Sequence, residues 1–174
     1  MTVQSVLADP SMAGTWSLSA DRSSVRFTNK TLWGLVKVNG EFKEVSGTGQ
    51  FGPGDIAGRL TIATASVRTG IGKRDEHLCS PDFFDAENHP AITIDVSGAT
   101  PTGEHTVDFA ATMTIRGTTL PLPLSATVTR LGNDSVHIVG RAIIDRTRWG
   151  VSGNMFGMMP ATAALVADTT FIRG

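Results

Sequence analysis

Asp75, Glu76 and His77 stand together in the run Lys73-Arg74-Asp75-Glu76-His77-Leu78-Cys79 and form the one compact acid–base cluster of the chain. A histidine beside carboxylates can pass a proton near neutral pH. The chemistry this would serve is hydrolysis or isomerisation of a lipid-like substrate, with His77 as base and Asp75 orienting it. A hydrolase also needs a nucleophile held by the base, and the base held by a third group. Cys79 follows His77 closely, but nothing around it resembles a cysteine-protease context, and neighbours in sequence rarely supply that geometry. The plainer reading is that Asp75 and His77 hydrogen-bond loop backbone and brace it. A zinc site from His77, His89 and a carboxylate fits no standard ligand spacing. The expectation is therefore a protein with no catalytic residues, no catalytic cofactor and no metal.

The residues after the cluster give it a setting. Ser80 suits a helix N-cap and Pro81 a first helical position, with Asp82 in the first turn where the helix dipole favours a carboxylate. The spacing predicts a short helix from about Pro81 that throws Phe83 and Phe84 against a sheet, a plug closing one end of it. Around this segment the chain alternates like β-strand. Trp16 and Leu18, then Val25 and Phe27, then Val36, Val38 and Phe42 fall on one face each. Gly40 lies on that apolar face, where a barrel needs a bend or a close neighbour. Leu60 and Ile62 alternate until the phase breaks around Ala63–Ala65, which predicts a bulge. Ile92, Ile94 and Val96 give another strand. Val107, Phe109, Ala111, Met113 and Ile115 turn near Gly117-Thr118 into Leu120, Leu122, Leu124, Ala126 and Val128. Pro121 and Pro123 cannot donate to a ladder, so that strand should begin at an edge or splayed rim. Val136, Ile138, Ala142 and Ile144 precede the closing strand, roughly Ala164–Ile172. Residues 31–35 have no clean period. The reading is all-β: an eight-stranded antiparallel barrel, nine with the N-terminal strand, and a short helical plug. Residues 1–13 read as a loose lead-in to a single domain over 14–174.

Composition narrows the partners. The 174 residues are 40% hydrophobic and 18% charged, enough for a core. Fifteen basic against 16 acidic residues leave a net charge of −1 with no basic run, so no nucleic-acid partner is expected. One cysteine excludes an intrachain disulfide. The first ten residues lack a basic n-region and a continuous apolar stretch, and no run approaches the ~20 residues that span a bilayer. The expected location is cytoplasmic, with no transmembrane segment.

Several motifs in order carry a family resemblance. They are Ser66-Val67-Arg68-Thr69-Gly70, Arg74-Asp75-Glu76-His77-Leu78, Ser80-Pro81-Asp82-Phe83-Phe84-Asp85 with Pro90, Thr114-Ile115-Arg116-Gly117-Thr118-Thr119, and Asp145-Arg146-Thr147-Arg148-Trp149-Gly150-Val151. Together they resemble the YceI-like family of lipocalin-like barrels. The resemblance implies a long apolar tunnel that holds a polyisoprenoid, a quinone or a fatty-acid-like lipid for storage or transport and performs no chemistry on it. It also implies a homodimer and a stress-response setting. Two departures are visible: Asn29-Lys30 stands where many members carry a histidine, and Trp149 where many carry phenylalanine.

Candidate ligand-binding residues follow from the inward faces and the two irregular segments. From the strands these are Phe27, Val38, Phe42, Ile62, Ile94, Phe109, Met113 and Ile115. From the irregular segments they are His77, Leu78, Phe83, Phe84, Trp149, Met155 and Phe156, an apolar load beyond what solvent loops carry, with methionines that adapt to flexible chains. Arg74, His77, Lys30 and Arg148 are candidates for a polar headgroup, argued from charge type alone.

Overall fold

Alternation builds the wall. In a computed structural model describing residues 2–30 (Lys30 by its backbone only), 37–153 and 160–174, eleven antiparallel strands form one continuous sheet. They are β1 (Gly14–Leu18), β2 (Ser24–Lys30), β3 (Lys37–Phe42), β4 (Val45–Gly52), β5 (Asp55–Ala63), β6 (Val67–Arg68), β7 (Ala91–Pro101), β8 (Thr106–Ile115), β9 (Thr118–Arg130), β10 (Ser135–Asp145) and β11 (Thr162–Arg173). β11 closes the barrel by pairing with β1 through Leu18↔Phe171 and with β2 through Phe27↔Leu165. β1 with β2, β3 with β4, and β5 with β6 each share one wall position, so the barrel is eight-stranded. That closure pairs every wall position on both sides except at the rim, where the short β6 pairs with β3 alone.

The breaks within these shared positions follow the sequence. A 3₁₀ turn over Ala20–Arg22 separates β1 from β2, and another over Thr64–Ser66 separates β5 from β6. The second sits where the alternation lost phase, and it takes the place of the expected bulge. Gly40 does meet a close neighbour: a Cβ there would lie 2.2 Å from the Phe27 ring, which therefore lies flat across the strand. The β9–β10 ladder stops at Ser125↔Arg141, short of Pro121 and Pro123, so β9 does start as a splayed rim. The β8–β9 hairpin turns at Arg116 and Gly117, one residue earlier than the expected Gly117-Thr118, with both residues at positive φ (51° and 75°). That pair of angles matches the right-handed twist of the flanking strands.

The lead-in is not loose. Val3–Ala8 form helix α1, whose N-cap Thr2 accepts from Ser5 N, and Pro10–Met12 form a 3₁₀ turn capped by Asp9. Short as it is, α1 persists because Val3, Val6, Leu7 and Met12 are all buried against Trp16 and Phe51 across the lower barrel mouth. Val3 N donates to Glu104 O and Gly54 N to Leu7 O, and Trp16 Nε1 donates to Met12 O at 2.9 Å. This packing overrides the polar turn residues around Asp9 and Pro10.

Asp9 also anchors the floor. Hydrogen bonds from Ser11, followed by Arg130 at 2.5 Å, pull its carboxyl down to about 2 from an ordinary 3.8. A depressed carboxyl contributes stability that is present above its unfolded value and lost as pH falls through the folded one. We expect the stability advantage of the wild type over Asp9→Asn to hold above pH 4 and to vanish as pH falls towards 2. Urea midpoints at pH 5, 3 and 2 measure it, and parallel pH profiles for the two proteins would show that the floor docks without this pair.

Candidate functional site

The opposite barrel mouth carries the acid–base cluster and the plug. The helix here is α2, Gly72–Cys79, and it precedes Pro81. Ser80 is its C-cap: Ser80 N and Oγ both donate to His77 O, so the helix ends where one was expected to begin. The Lys-Arg-Asp-Glu-His-Leu stretch is made of residues with workable helix propensity, while Phe83 N and Asp85 N both turn back to Ser80 O. Asp85, at φ 49°, reverses the chain after the two phenylalanines. The plug is thus a tight turn stacked on the end of α2.

Asp75 and His77 face different partners. Asp75 Oδ1 accepts from Thr69 N at 2.8 Å and Thr69 Oγ1 at 2.6 Å. His77 Nε2 lies 3.0 Å from Asp82 Oδ2, and its ring meets Phe83 edge-on at 5.1 Å. The arrangement in which Asp75 orients His77 is not formed, and both residues brace the loop. Cys79 is half-buried; burial raises its thiol pKa, which keeps it protonated and a poor nucleophile. Arg74 is also a brace, donating to Thr69 Oγ1 and Thr69 O, and Arg148 is exposed to solvent. Neither is a wall residue of the cavity below. The Lys30 side chain lies outside the described residues.

Three contacts hold the plug down. Arg116 Nη1, from the β8–β9 hairpin, donates to Pro81 O at 2.5 Å and Phe83 O at 2.6 Å. Arg146 sets its guanidinium 5.8 Å from the Phe83 ring centre. Gly153 crosses so close that a Cβ would lie 2.3 Å from Asp82 O and 2.8 Å from the Phe83 ring. Any larger residue there has to displace backbone.

Behind the plug lie two adjoining cavities, of about 80 and 90 Å³. Phe27, Phe42, Ile62, Leu78, Phe83, Phe84, Ile94, Met113 and Ile115, all among the expected ligand-binding residues, line the upper one. Phe109 lines the lower one, with Trp16 and Phe51 beneath it. Ile94, Leu124, Gly140 and Ala167 border both and form the neck between the two spaces. Val38 and Trp149 are buried but are not wall residues of either cavity; Trp149 Nε1 donates to Met113 O at 2.8 Å. His77 lies outside the wall. Met155, Phe156 and the segment 31–35 lie outside the described residues.

Two polar wall residues of the upper cavity escaped the sequence reading. Asn29 and Arg146 are buried, at 3% and 7% exposure, and both line the upper cavity. The signal was present: Asn29 continues the inward series Val25, Phe27, and Arg146 the inward series Ala142, Ile144. A polar residue in step with an apolar face is a polar residue facing the interior. Arg146 donates through Nε to Pro160 O and through Nη1 to Val151 O, and burial lowers its pKa.

A closed antiparallel barrel with an apolar lumen, a helical floor and a plugged mouth defines the class of lipocalin-like barrels. Residues 16–173 match the YceI-like domain, and the chain belongs to the YceI-like family. A UPF0312 protein of Pseudomonas syringae pv. tomato is 28% identical over 79% of this chain and 74% of its own length. Protein YceI of Escherichia coli O157:H7 is 33% identical over 55% of this chain and 51% of its own. Against several such curated relatives the alignment spans about half their length. The crystal structure of Burkholderia cenocepacia BcnA superposes with a TM-score of 0.80 at 21% identity, covering 88% of this chain and 98% of that one. A polyisoprenoid binding domain from Saccharophagus degradans gives 0.77 at 18% identity, covering 91% and 98%. These two show the fold. Among the described residues, no helix is long and apolar enough to cross a membrane.

Proposed function

We propose that this barrel binds a long apolar isoprenoid-type lipid, a polyprenyl chain or a quinone tail, and stores or carries it without altering it. The observation that carries this is the pair of apolar cavities stacked on either side of the Ile94–Leu124–Gly140–Ala167 neck. Each buried CH₂ contributes about 0.8 kcal/mol, so a chain threaded through the neck needs few polar contacts to be held. The lumen is narrow, which favours a slender occupant, and filling it requires side chains such as Phe84, Leu78 and Met113 to move aside. The match to a family whose fold includes a polyisoprenoid binding domain supports the same reading.

The decisive experiment is native mass spectrometry and solvent extraction of the purified protein, followed by uptake of fluorescent polyprenyl and quinone probes. A copurifying lipid, or saturable uptake at one equivalent, is expected. An empty protein that takes up neither probe would sink the proposal.

A further inference from the structure

A lipid has to reach a lumen that is closed at both ends. On the plug side Phe83 is buried, and Arg116 holds its carbonyl. On the floor side Val3, Val6, Leu7 and Met12 are all buried. The wall between them offers a third place. β9 pairs with β8 from Thr118 onward, and β10 pairs with β11 as far as Asp145, but the ladder between β9 and β10 stops at Ser125↔Arg141. Counted on in the same register, Pro123 stands opposite Ile143 and Pro121 opposite Asp145. Neither proline has an N–H to give across the seam, so the ladder does not zip past them. Residues 142–145 of β10 and the start of β9 therefore flank a slot roughly 13 Å long, at about 3.3 Å per residue.

Both sides of this slot face the upper cavity, through Leu122 and Leu124 from β9 and Ala142 and Ile144 from β10. Neighbouring residues on a strand point to opposite faces, so Pro121, Pro123 and Ile143 form its outer lip, and all three are exposed. Ile143 is 71% exposed, more than any other large hydrophobic side chain among the described residues. Ala110 and Ala164, exposed and opposite Pro123 and Ile143 in their own ladders, extend the apolar lip to either side. Single exposed apolar side chains are ordinary on a surface. This one stands on a break in the wall, with an apolar cavity directly behind it. The turn over Arg146–Trp149 bridges the rim end of the slot, because Trp149 Nε1 donates to Met113 O on β8, beyond β9. A ladder pair below and an indole anchor above thus bound a stretch that can widen without unfolding either end.

We propose that the slot between β9 and β10 is the portal through which an isoprenoid chain enters and leaves the lumen, with Ile143 on the outer lip making the first contact. This rests on the lipid-binding reading and adds to it a route and an outer contact site for the same ligand. Widening the slot parts side chains along a seam whose ladder has already ended. Lifting the plug instead breaks the bonds from Arg116 to Pro81 O and Phe83 O, and undocking the floor exposes four buried side chains. An apolar lip shields the carbons of the chain from water as they cross. It therefore lowers the barrier in both directions and leaves the binding equilibrium unaltered.

The test follows uptake and release of geranylgeraniol, delivered from cyclodextrin, by stopped-flow tryptophan fluorescence of the intact chain. Ile143→Glu places a charge on the lip and leaves the lumen as it is. It is expected to slow uptake and release together by at least tenfold, with equilibrium affinity within about twofold of the wild type. The double variant Pro121→Thr/Pro123→Thr restores two N–H donors, so the ladder should run on to the rim. Hydrogen exchange at the Ile143 amide should then slow, and uptake should slow at least tenfold with it. Unchanged uptake in Ile143→Glu overturns the portal, and that variant alters only an exposed side chain. Weaker affinity at an unchanged uptake rate also overturns it, since Ile143 would then act on the bound state. In the proline variant, either unchanged uptake or an Ile143 amide no better protected than in the wild type overturns it. Failure of the wild type to bind geranylgeraniol is a different outcome: it removes the lipid-binding reading itself, and the portal with it.

Discussion

Phe83→Ala is expected to destabilise the ligand-free protein by about 3–5 kcal/mol, the range for truncating a packed aromatic ring. Phe83 is 1% exposed, with His77 at its edge, Arg146 over its face and Gly153 pressed against it. The Gly153 backbone, held against Asp82 O and the Phe83 ring, resists collapse into the space. At about 2–4 °C per kcal/mol for a chain of this size, the melting midpoint should fall by roughly 10 °C. Phe84 differs. It is half-buried, tilts against Phe27 and Phe42 at 6.5 and 5.7 Å, and faces the cavity. Phe84→Ala should cost well under half as much and should speed lipid release, because it widens the lumen behind the plug without unlatching it. Phe109→Ala, which alternation alone marks as the strongly destabilising change, should also be mild. Phe109 is only partly buried and borders the lower cavity, so truncating it enlarges an existing space. Melting midpoints of the three empty proteins, with off-rates of a bound polyprenyl probe, give the ranking. Equal destabilisation by Phe83→Ala and Phe84→Ala would mean the plug is uniform core with no gate in it.

Gly140→Val should divide the lumen. Gly140 faces inward on β10 at the neck, and a Cβ added there would sit 3.1 Å from Leu124 Cδ1. That contact is with the tip of a flexible side chain, and valine suits a strand, so the fold should persist. The cost falls on the lumen, since Leu124 must swing into the passage. A lipid stopped at the neck leaves its distal carbons unburied, at about 0.8 kcal/mol for each CH₂. Excluding only four of them corresponds to about 3 kcal/mol, or roughly two orders of magnitude in affinity. We expect geranylgeraniol and longer chains to lose at least a hundredfold in Gly140→Val, while a ten-carbon prenyl alcohol retains nearly all its affinity. Isothermal titration across a chain-length series measures this. A uniform loss at every length would show that Gly140 sets general packing and not reach.

The sequence by itself determined the barrel. Inward residues such as Val25, Phe27, Met113 and Ile144 repeat with period two, and one buried face specifies register so strongly that a one-residue slip would invert it. The splayed start of β9 was equally legible, because a proline's missing N–H is a local chemical fact. The wall of the cavity was legible for the same reason, from Phe27 and Phe42 through to Ile115. Tertiary structure alone decided the rest. α1 is too short to hold itself, and only the open barrel mouth gives Val3, Val6 and Leu7 a surface to bury against. The helix at the plug lies on Gly72–Cys79 because Asp75 and Arg74 close on Thr69 while Ser80 caps the end, contacts whose partners are fixed by how the loop folds back. Arg116, Gly153 and Arg146 converge on Phe83 from three separate segments, and no local pattern announces such a meeting. Asn29 stands between the two cases. Its inward position could be counted along β2, but its bond to Thr162 O depended on a strand arriving from the far end of the chain.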